Sequence, residues 1–161
     1  MTPQPPITLR RISDPAEKRA VCEQILRDLP EWFGIEEAIR DYIEDSAAMT
    51  FLVAERGGEA LGFTALNDHG GCALEIHVMG VRRACHRQGI GRRLVDAAVD
   101  EARALGRRLL TVKTLSPRHP SPEYAATRAF YEAMGFLPVE EFPTLWGEGN
   151  PCLLLAKILA G

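Results

Sequence analysis

Hydrophobic residues recur along the chain at two spacings, one typical of helices and one of strands. After a short strand beginning at Ile7, the residues Val21, Ile25 and Leu29 repeat at helical spacing and predict a first amphipathic helix. A second helix is predicted over residues 35–42, whose apolar positions fall on one side. Apolar or alternating runs predict further strands at 50–55, 60–67, 72–81, 109–115, 137–142 and 152–159.

The helix starts carry recognisable capping residues. Asp14 precedes Pro15, and Ser121 precedes Pro122, so each pair places a capping side chain before a proline in the first turn. Another helix is predicted from Ile90, with apolar residues every three or four positions. The order is strand, two helices, three strands, helix, strand, helix and two strands. It predicts a mixed α/β sheet with helices on both faces.

Length and composition describe one ordinary globular domain. The 161 residues are 46% hydrophobic, and a chain of this length buries about two-thirds of its unfolded surface without disulfides or metals. No linker or repeat divides the sequence, so we predict a single domain over 1–161, with residues 1–6 as a loose tail. Apolar stretches are far shorter than the roughly 18 residues of a membrane span, and the first residues lack a signal core. We therefore expect a cytoplasmic protein with no membrane partner.

The four cysteines are scattered and form no C-x-x-C pair, which is typical of reduced thiols in a cytosol. Two histidines and two cysteines near the middle of the chain are conceivable zinc ligands, but their spacing matches no zinc motif. We therefore predict no metal. The residues concerned are His69, Cys72, Cys85 and His86.

Charged residues are strongly segregated, although the formal net charge is only −3. Residues 82–95 contain five arginines and no acid, whereas residues 31–45 contain six acids and one arginine. The mildly acidic total argues against a nucleic-acid partner, and the two patches suggest two ligands of opposite charge. For the acidic patch, the alternative is the solvated face of an ordinary helix.

Two glycines mark a strand-to-helix turn in the stretch ACHRQGIGRRLV at 84–95. Backbone amides and the helix dipole at such a turn favour an anion. Gly89 and Gly91 let the ligand approach the main chain, while the arginines attract a group such as pyrophosphate. A dinucleotide-binding fold would need a third glycine and a later acid, and a phosphate loop would need G-x-x-x-x-G-K-[ST]. A tight turn without any ligand is the remaining alternative.

Two blocks of the sequence resemble the GNAT superfamily of N-acetyltransferases. LEIHVMGV at 74–81 followed by RQGIGRRL at 87–94 is similar to its coenzyme A pyrophosphate motif, and TRAFYEAMGF at 127–136 resembles its fourth-helix signature. The resemblance implies a GNAT-like fold with a mixed central sheet of about seven strands flanked by about four helices. Two departures stand out, because His86 replaces an arginine or glutamine of the motif and Tyr124 replaces an asparagine.

Acetyl-CoA is the co-substrate that the resemblance implies, and the reaction is direct acetyl transfer to an amine in a ternary complex. A protonated amine must lose a proton before it attacks, and the departing thiolate needs one. Glu75 matches the position of a catalytic glutamate and Tyr131 that of a proton-donating tyrosine. The alternatives are a structural acid and a packed aromatic, respectively. The implied coenzyme A contacts are Met79, Val81, Arg87, Gln88, Gly89, Ile90, Gly91 and Arg92.

The acceptor is expected to be the primary amine of a small molecule, and the acidic patch favours a cationic one. Trp32 and Phe33 lie in a predicted loop on the acceptor side, with peripheral core packing as the alternative role. His77 alternates onto the same face of its strand as Glu75 and is the reserve candidate for the base. A homodimer is an open option. The competing function is a non-catalytic acyl-CoA-binding sensor or regulatory module, because fold alone does not establish catalysis.

Overall fold

A computed structural model describes residues 3–160, and residues 1 and 2 of the predicted tail lie outside them. The chain forms a seven-stranded mixed sheet in the order β1-β2-β3-β4-β5-β7-β6. Four α-helices connect the strands: α1 (Pro15–Leu26), α2 (Glu36–Ala47), α3 (Ile90–Ala104) and α4 (Pro122–Ala133). The strands are β1 (Thr8–Ile12), β2 (Thr50–Arg56), β3 (Glu59–Asp68), β4 (Ala73–Val81), β5 (Leu109–Leu115), β6 (Leu137–Phe142) and β7 (Cys152–Ile158). The predicted fold class is confirmed.

Both predicted proline-led helix starts are present. The side chain of Asp14 accepts a hydrogen bond from Ala16 N at 3.2 Å, and Ser121 Oγ accepts one from Tyr124 N at 3.2 Å. These bonds satisfy amides that have no partner inside the helix. The two predictions that differ are at helix boundaries. Leu29 lies beyond the end of α1, although it is buried, and Ile35 is the exposed residue before α2 rather than part of its apolar face.

The described residues divide into two compact units, the first formed by residues 3–67 and 77–98. In this unit β1, β2 and β3 pair antiparallel, and β2 and β3 form a hairpin. The helices α1 and α2 pack on one group of buried side chains that includes Ile25, Phe51 and Phe63. The first residue of α3, Ile90, belongs to a second group of buried side chains that also includes Leu61.

The second unit is formed by residues 68–76 and 99–160. The first four residues of β4 pair in parallel with β5, from Ala73 with Leu109 to Ile76 with Val112. Strand β7 pairs antiparallel with both β5 and β6. Leu74, Leu110 and Leu155 are buried between these elements and form part of the core. The prediction of one domain over the whole chain remains a prediction.

Tight packing of Gly62 positions the start of α3 within the first unit. A Cβ atom built at Gly62 would lie 3.1 Å from Gly80 O, 3.1 Å from Ile90 Cγ2 and 3.2 Å from Val81 Cγ2. The strands β3 and β4 and the first residue of α3 therefore meet where no side chain has room. The absence of a side chain at Gly62 fixes how closely the helix start approaches the strands.

We expect Gly62→Val to lower the free energy of unfolding by about 1–3 kcal/mol, because the added methyl groups overpack this contact. Gly71→Ala is the matched control, since a Cβ at Gly71 meets no atom within 4 Å. Chemical denaturation of the two variants beside the wild-type protein measures the difference. Equal stability of the Gly62→Val variant and the wild-type protein would contradict the close packing described here.

Candidate active site

Left-handed backbone geometry forms the turn before α3. Gly89 has a φ of 79°, and Arg87 has a φ of 65°, a region that residues with a side chain seldom adopt. Helix α3 begins immediately after Gly89, at Ile90. Its first amides have no partner within the helix and carry the positive end of the helix dipole. The structure therefore contains the strand-to-helix turn that the sequence predicted, and its role as an anion site stays a prediction.

Main-chain hydrogen bonds tie the segment before this turn to neighbouring elements of the first unit. Arg82 N donates to Leu61 O at 2.8 Å, and Arg82 Nε donates to Ala60 O at 2.6 Å. The next amide, Arg83 N, donates to Asp28 Oδ2 at 2.8 Å. A short 3-10 turn at Arg83–Cys85 follows. The segment is thus fastened to β3 and to the end of α1.

His86 occupies the position at which the GNAT-like motif departs from its usual arginine or glutamine. Its Nε2 atom lies 2.8 Å from Val81 O, within hydrogen-bond distance. Its ring also meets Trp32 edge to face, with centroids 5.6 Å apart. His86 therefore supports the end of β4 from the turn. Trp32 and Phe33 are both partly buried on the core of the first unit, where Phe33 meets Tyr42 edge to face.

The arginines of the cationic patch divide into two groups. Arg82, Arg83 and Arg93 are engaged by the fold, since Arg83 pairs with Glu31 and Arg93 Nη1 donates to Ile7 O at 2.9 Å. Arg87 and Arg92 are exposed and have no ion pair among residues 3–160. Gln88 receives a hydrogen bond from Arg56 Nη2 at 3.4 Å. Two guanidinium groups are thus left available beside the turn.

Most acids of the predicted anionic patch have a basic neighbour. Glu36 contacts two arginines, which lower the pKa of its carboxyl to about 2, with Arg27 the larger cause. Glu37 and Asp41 have no ion pair within the described part of the chain. The patch therefore attracts a distant cation less strongly than its composition suggests. The pairs are Arg83–Glu31, Arg27–Glu36, Arg40–Glu36, Arg19–Glu44 and His77–Asp45.

Strand β4 continues beyond its pairing with β5. The register between the two strands ends at Ile76 and Val112, whereas β4 extends to Val81 and β5 extends to Leu115. Met79 and Val81 lie in this last part of β4, and their half-buried side chains pack beside Ile90 in the first unit. Their main-chain groups on the side away from β3 consequently have no β5 partner.

Glu75 lies in the paired part of β4 and is only 4% exposed. Its Oε2 atom accepts a hydrogen bond from Lys113 Nζ at 2.6 Å, and its Oε1 atom lies 3.0 Å from His69 Nε2. Burial alone would raise the pKa of Glu75. The hydrogen bond and charge of Lys113, with a further contribution from His69, outweigh burial and hold this pKa below its usual range. Glu75 is therefore an ionised, paired carboxylate at neutral pH.

His77 belongs to the first unit and has different neighbours. Its Nε2 atom lies 3.1 Å from Asp45 Oδ2, and its ring meets Tyr42 edge to face with centroids 5.5 Å apart. A carboxylate beside an imidazole fixes the orientation of the ring. His77 is consequently held by α2.

Tyr131 is a residue of α4 in the second unit and is only 5% exposed. Its ring lies 5.3 Å from that of Phe130 and 5.3 Å from that of Phe136. Burial raises the pKa of Tyr131, and the nearby Tyr124 raises it further. The phenol therefore keeps its proton at neutral pH, which is the state required of a proton donor.

Sequence reasoning did not identify three residues that contact the candidate site residues: Asp45, His69 and Lys113. Lys113 and Glu75 are 38 positions apart, and His77 and Asp45 are 32 apart. A signal was available for Lys113, because a lysine in the otherwise apolar run LLTVKTL needs a charge partner. No comparable pattern marks His69, which lies in the loop before β4.

No group of three or more His, Cys, Asp or Glu residues suited to a metal ion occurs among residues 3–160. Of the four histidines and cysteines considered as zinc ligands, His69 is engaged by Glu75 and His86 by Val81. Within the same range, no helix is long and apolar enough to cross a bilayer.

Comparison with known proteins identifies the family. The model of the acetyltransferase (GNAT) family matches residues 18–136. No curated protein has a significant sequence match. Because the family model covers most of the chain, this protein belongs to the GNAT family of acetyltransferases.

Solved structures share the fold at low sequence identity. Aminoglycoside 6'-acetyltransferase type Ii has a TM-score of 0.75 and 21% identity, covering 96% of this chain and 98% of that one. The ribosomal-protein-S18-alanine N-acetyltransferase from Escherichia coli has a TM-score of 0.75 and 16% identity, covering 97% and 96%. A GNAT family acetyltransferase from Elizabethkingia anophelis with acetyl-CoA bound has a TM-score of 0.71 and 18% identity, covering 95% and 98%.

Removing Lys113 should destabilise the protein, because Glu75 would then be buried as an incompletely paired anion. We expect Lys113→Met to lower the free energy of unfolding at pH 7 by about 1–3 kcal/mol. Without the lysine, burial should raise the folded-state pKa of Glu75 above its unfolded value. The folded variant then binds more protons than the unfolded one, so its stability deficit should shrink as pH falls toward that raised pKa.

The double variant Lys113→Met/Glu75→Gln is the control, since it removes the buried charge together with its partner. It should be more stable at pH 7 than Lys113→Met alone. Denaturant titrations of all three proteins across neutral and acidic pH measure both effects. A deficit of Lys113→Met that is the same at every pH would show that Glu75 is not the cause.

Proposed function

We propose that this protein is a cytosolic enzyme that transfers the acetyl group of acetyl-CoA to the primary amine of a small molecule. The observation that carries the proposal is the turn at Gly89, where a left-handed backbone leads directly into α3. Arg87 and Arg92 beside it are exposed and have no ion pair among the described residues. Membership of an acetyltransferase family makes coenzyme A the natural anionic ligand for this turn.

The pyrophosphate of coenzyme A is expected to bind the first amides of α3, from Gly89 to Arg92. Helix N-termini favour such groups through the dipole and through amides that lack an internal partner. Gln88 borders the same turn, and Ile90 anchors it by packing into the core of the first unit. The similar fold from Elizabethkingia anophelis, solved with acetyl-CoA bound, supports this choice of ligand.

The pantetheine arm is expected to pair with the main chain of Met79 and Val81. This part of β4 lies beyond the register with β5, which ends at Ile76. An extended arm that forms main-chain hydrogen bonds would then complete the strand in the manner of an added strand. A backbone amide in the same stretch would also stabilise the oxyanion that forms when the thioester carbonyl is attacked.

The chemical steps require a proton to leave the amine and another to reach the sulfur. The acceptor ammonium loses its proton to the hydrogen-bonded pair of Glu75 and His69. The neutral amine nitrogen then attacks the acetyl carbon. Collapse of the tetrahedral intermediate breaks the carbon–sulfur bond. Tyr131, a protonated phenol, donates its proton to the departing thiolate. The attacking nitrogen still carries one proton more than the amide product, and it releases this proton to the phenolate, directly or through solvent, which restores Tyr131.

Trp32, Phe33 and His77 are proposed to line the acceptor site. All three are partly buried side chains of the first unit, and His77 presents an imidazole beside the Asp45 carboxylate. Relatives of this fold named above acetylate an aminoglycoside in one case and a protein alanine in another. A small amine is preferred here for its fit to the negative charges of Asp45, Glu37 and Asp41.

Substitution of Gly91 by aspartate should abolish acetyl-CoA binding, because it places a negative side chain at the proposed pyrophosphate position. Gly91→Ala separates bulk from charge and should weaken binding much less. Calorimetric titration with acetyl-CoA, on variants whose circular dichroism matches the wild-type protein, measures both affinities. Unchanged affinity in folded Gly91→Asp would remove the turn as the binding site.

Replacing Tyr131 by phenylalanine should preserve the fold and acetyl-CoA affinity but lower turnover about 10² to 10⁴-fold, the range for a lost proton donor. Phenylalanine retains the ring contacts with Phe130 and Phe136. Steady-state kinetics with the best acceptor, beside a thermal melt, measure the change. Turnover within a few-fold of wild type would leave Tyr131 as a packing residue only.

An amine panel tests the acceptor class and the enzymatic assignment together. We expect matched cationic amines to have a higher kcat/KM than neutral ones at low salt, with the difference fading as ionic strength rises. Neutralising Glu37 and Asp41, which have no ion pair among the described residues, should remove the preference. Neutralising the arginine-paired Glu36 is the matched control and should change it less. Equal kcat/KM for both amine classes would refute cation selection, and intact acetyl-CoA binding without any turnover would identify a binding module.

A further inference from the structure

Both carboxylate oxygens of Glu75 are already engaged, which limits what this residue can do as a base. The Oε2 atom accepts a hydrogen bond from the ammonium of Lys113, and the Oε1 atom lies within hydrogen-bond distance of His69 Nε2. The side chain of Glu75 is 6% exposed, whereas that of His69 is 49% exposed. A base must present a lone pair to the incoming ammonium or to a water molecule in contact with it. The exposed ring of His69 can present such a lone pair, whereas Glu75 is buried and both of its oxygens are engaged.

The contact with Glu75 also selects the form of the imidazole. An ionised carboxylate can only accept, so His69 Nε2 must carry the proton and donate it to Glu75 Oε1. The neutral ring then has its lone pair on Nδ1, which has no hydrogen-bond partner within residues 3–160. This is the arrangement by which a carboxylate orients an imidazole and stabilises it once protonated.

We propose that His69 is the proton acceptor of the transferase reaction and that Glu75 is its positioning residue. The proposal deepens the function proposed above and rests on it. In the step, the N–H bond of the acceptor ammonium breaks and an Nδ1–H bond forms, directly or through one water molecule. The imidazolium is held by the Glu75 carboxylate until it returns the proton to solvent. The amine electron pair is then free to attack the thioester.

Charged groups around His69 come from four segments. At the end of β3, Asp68 is paired with Arg107 of the segment between α3 and β5, whose Nη2 atom donates to Asp68 Oδ2 at 2.8 Å. Strand β4 contributes Glu75, and β5 contributes Lys113. Lys113 keeps Glu75 ionised and therefore able to hold the ring.

The variant His69→Gln separates the two roles, because glutamine can still donate to Glu75 but cannot take up a proton. We expect kcat/KM for the amine at pH 7 to fall about 10² to 10⁴-fold, with acetyl-CoA affinity unchanged. The loss should shrink as pH rises, since free amine then forms without a base. Glu75→Gln should show the same loss of kcat/KM that shrinks with rising pH, because it releases the His69 ring. His77→Gln should not show this pH pattern.

Chemical rescue distinguishes a proton acceptor from a structural residue. We expect added imidazole to restore part of the activity of His69→Ala in proportion to its concentration. Tyr131→Phe is the matched control, since it should be comparably slow but lacks a different proton-transfer group. It should not respond to imidazole. Failure of imidazole to raise the rate of a folded His69→Ala protein, together with near-normal activity of His69→Gln, would overturn the proposal.

Nitrogen-15 NMR of the histidine rings tests the geometry without any acceptor. The resting wild-type protein should hold neutral His69 as the Nε2–H tautomer, and Glu75→Gln should reduce that preference. A resting Nδ1–H tautomer would overturn the proposal. If His69→Gln is nearly normal while Glu75→Gln is impaired, the carboxylate itself takes the proton and the transferase assignment stands. If the wild-type protein acetylates no amine, the proposed function fails first.

Discussion

Hydrogen bonding between β4 and β5 ends after four residue pairs, and the chemistry proposed for this protein depends on that limit. Up to Ile76, the parallel register fixes Glu75 beside Thr111 and places Lys113 of β5 within 2.6 Å of the carboxylate. Beyond Ile76, the main chain of β4 is released from β5. One strand therefore supplies a buried acid within its register with β5 and, beyond that register, the main chain of Met79 and Val81, in which Val81 O lies at His86 Nε2.

Pairing of charges determines which residues of the two patches can act on a ligand. Composition counts every arginine and every acid alike, yet Arg83 and Glu31 neutralise each other, and Glu36 is shared by two arginines. Exposed ion pairs of this kind contribute little to stability. Their larger effect is to reduce the net charge with which each patch attracts a distant ligand. What remains of the cationic patch is the pair Arg87 and Arg92 at the turn, near the amides that would bind an anion, and what remains of the acidic patch is Glu37 and Asp41.

Local features of this fold could be predicted from sequence, and contacts distant in sequence could not. Asp14 and Ser121 cap their helices as expected, because the capping bond spans only two or three residues. The glycine turn was equally readable, since its positive φ and the helix start occur within a few positions. The partner of Glu75 depends on the register of two strands and on a loop. Nothing in the periodicity of either strand specifies which lysine or histidine meets it.

The four cysteines differ sharply in accessibility, and this bears on how the protein behaves toward thiol reagents. Cys22, Cys85 and Cys152 are buried, and burial raises the pKa of Cys22 to about 12 and that of Cys152 to about 11. Thiolate, the reactive form, is therefore scarce at Cys22 and Cys152. Cys72 alone is exposed. A fluorophore coupled through maleimide would attach there, three residues from Glu75, and would report on the loop that carries His69 without any engineered cysteine.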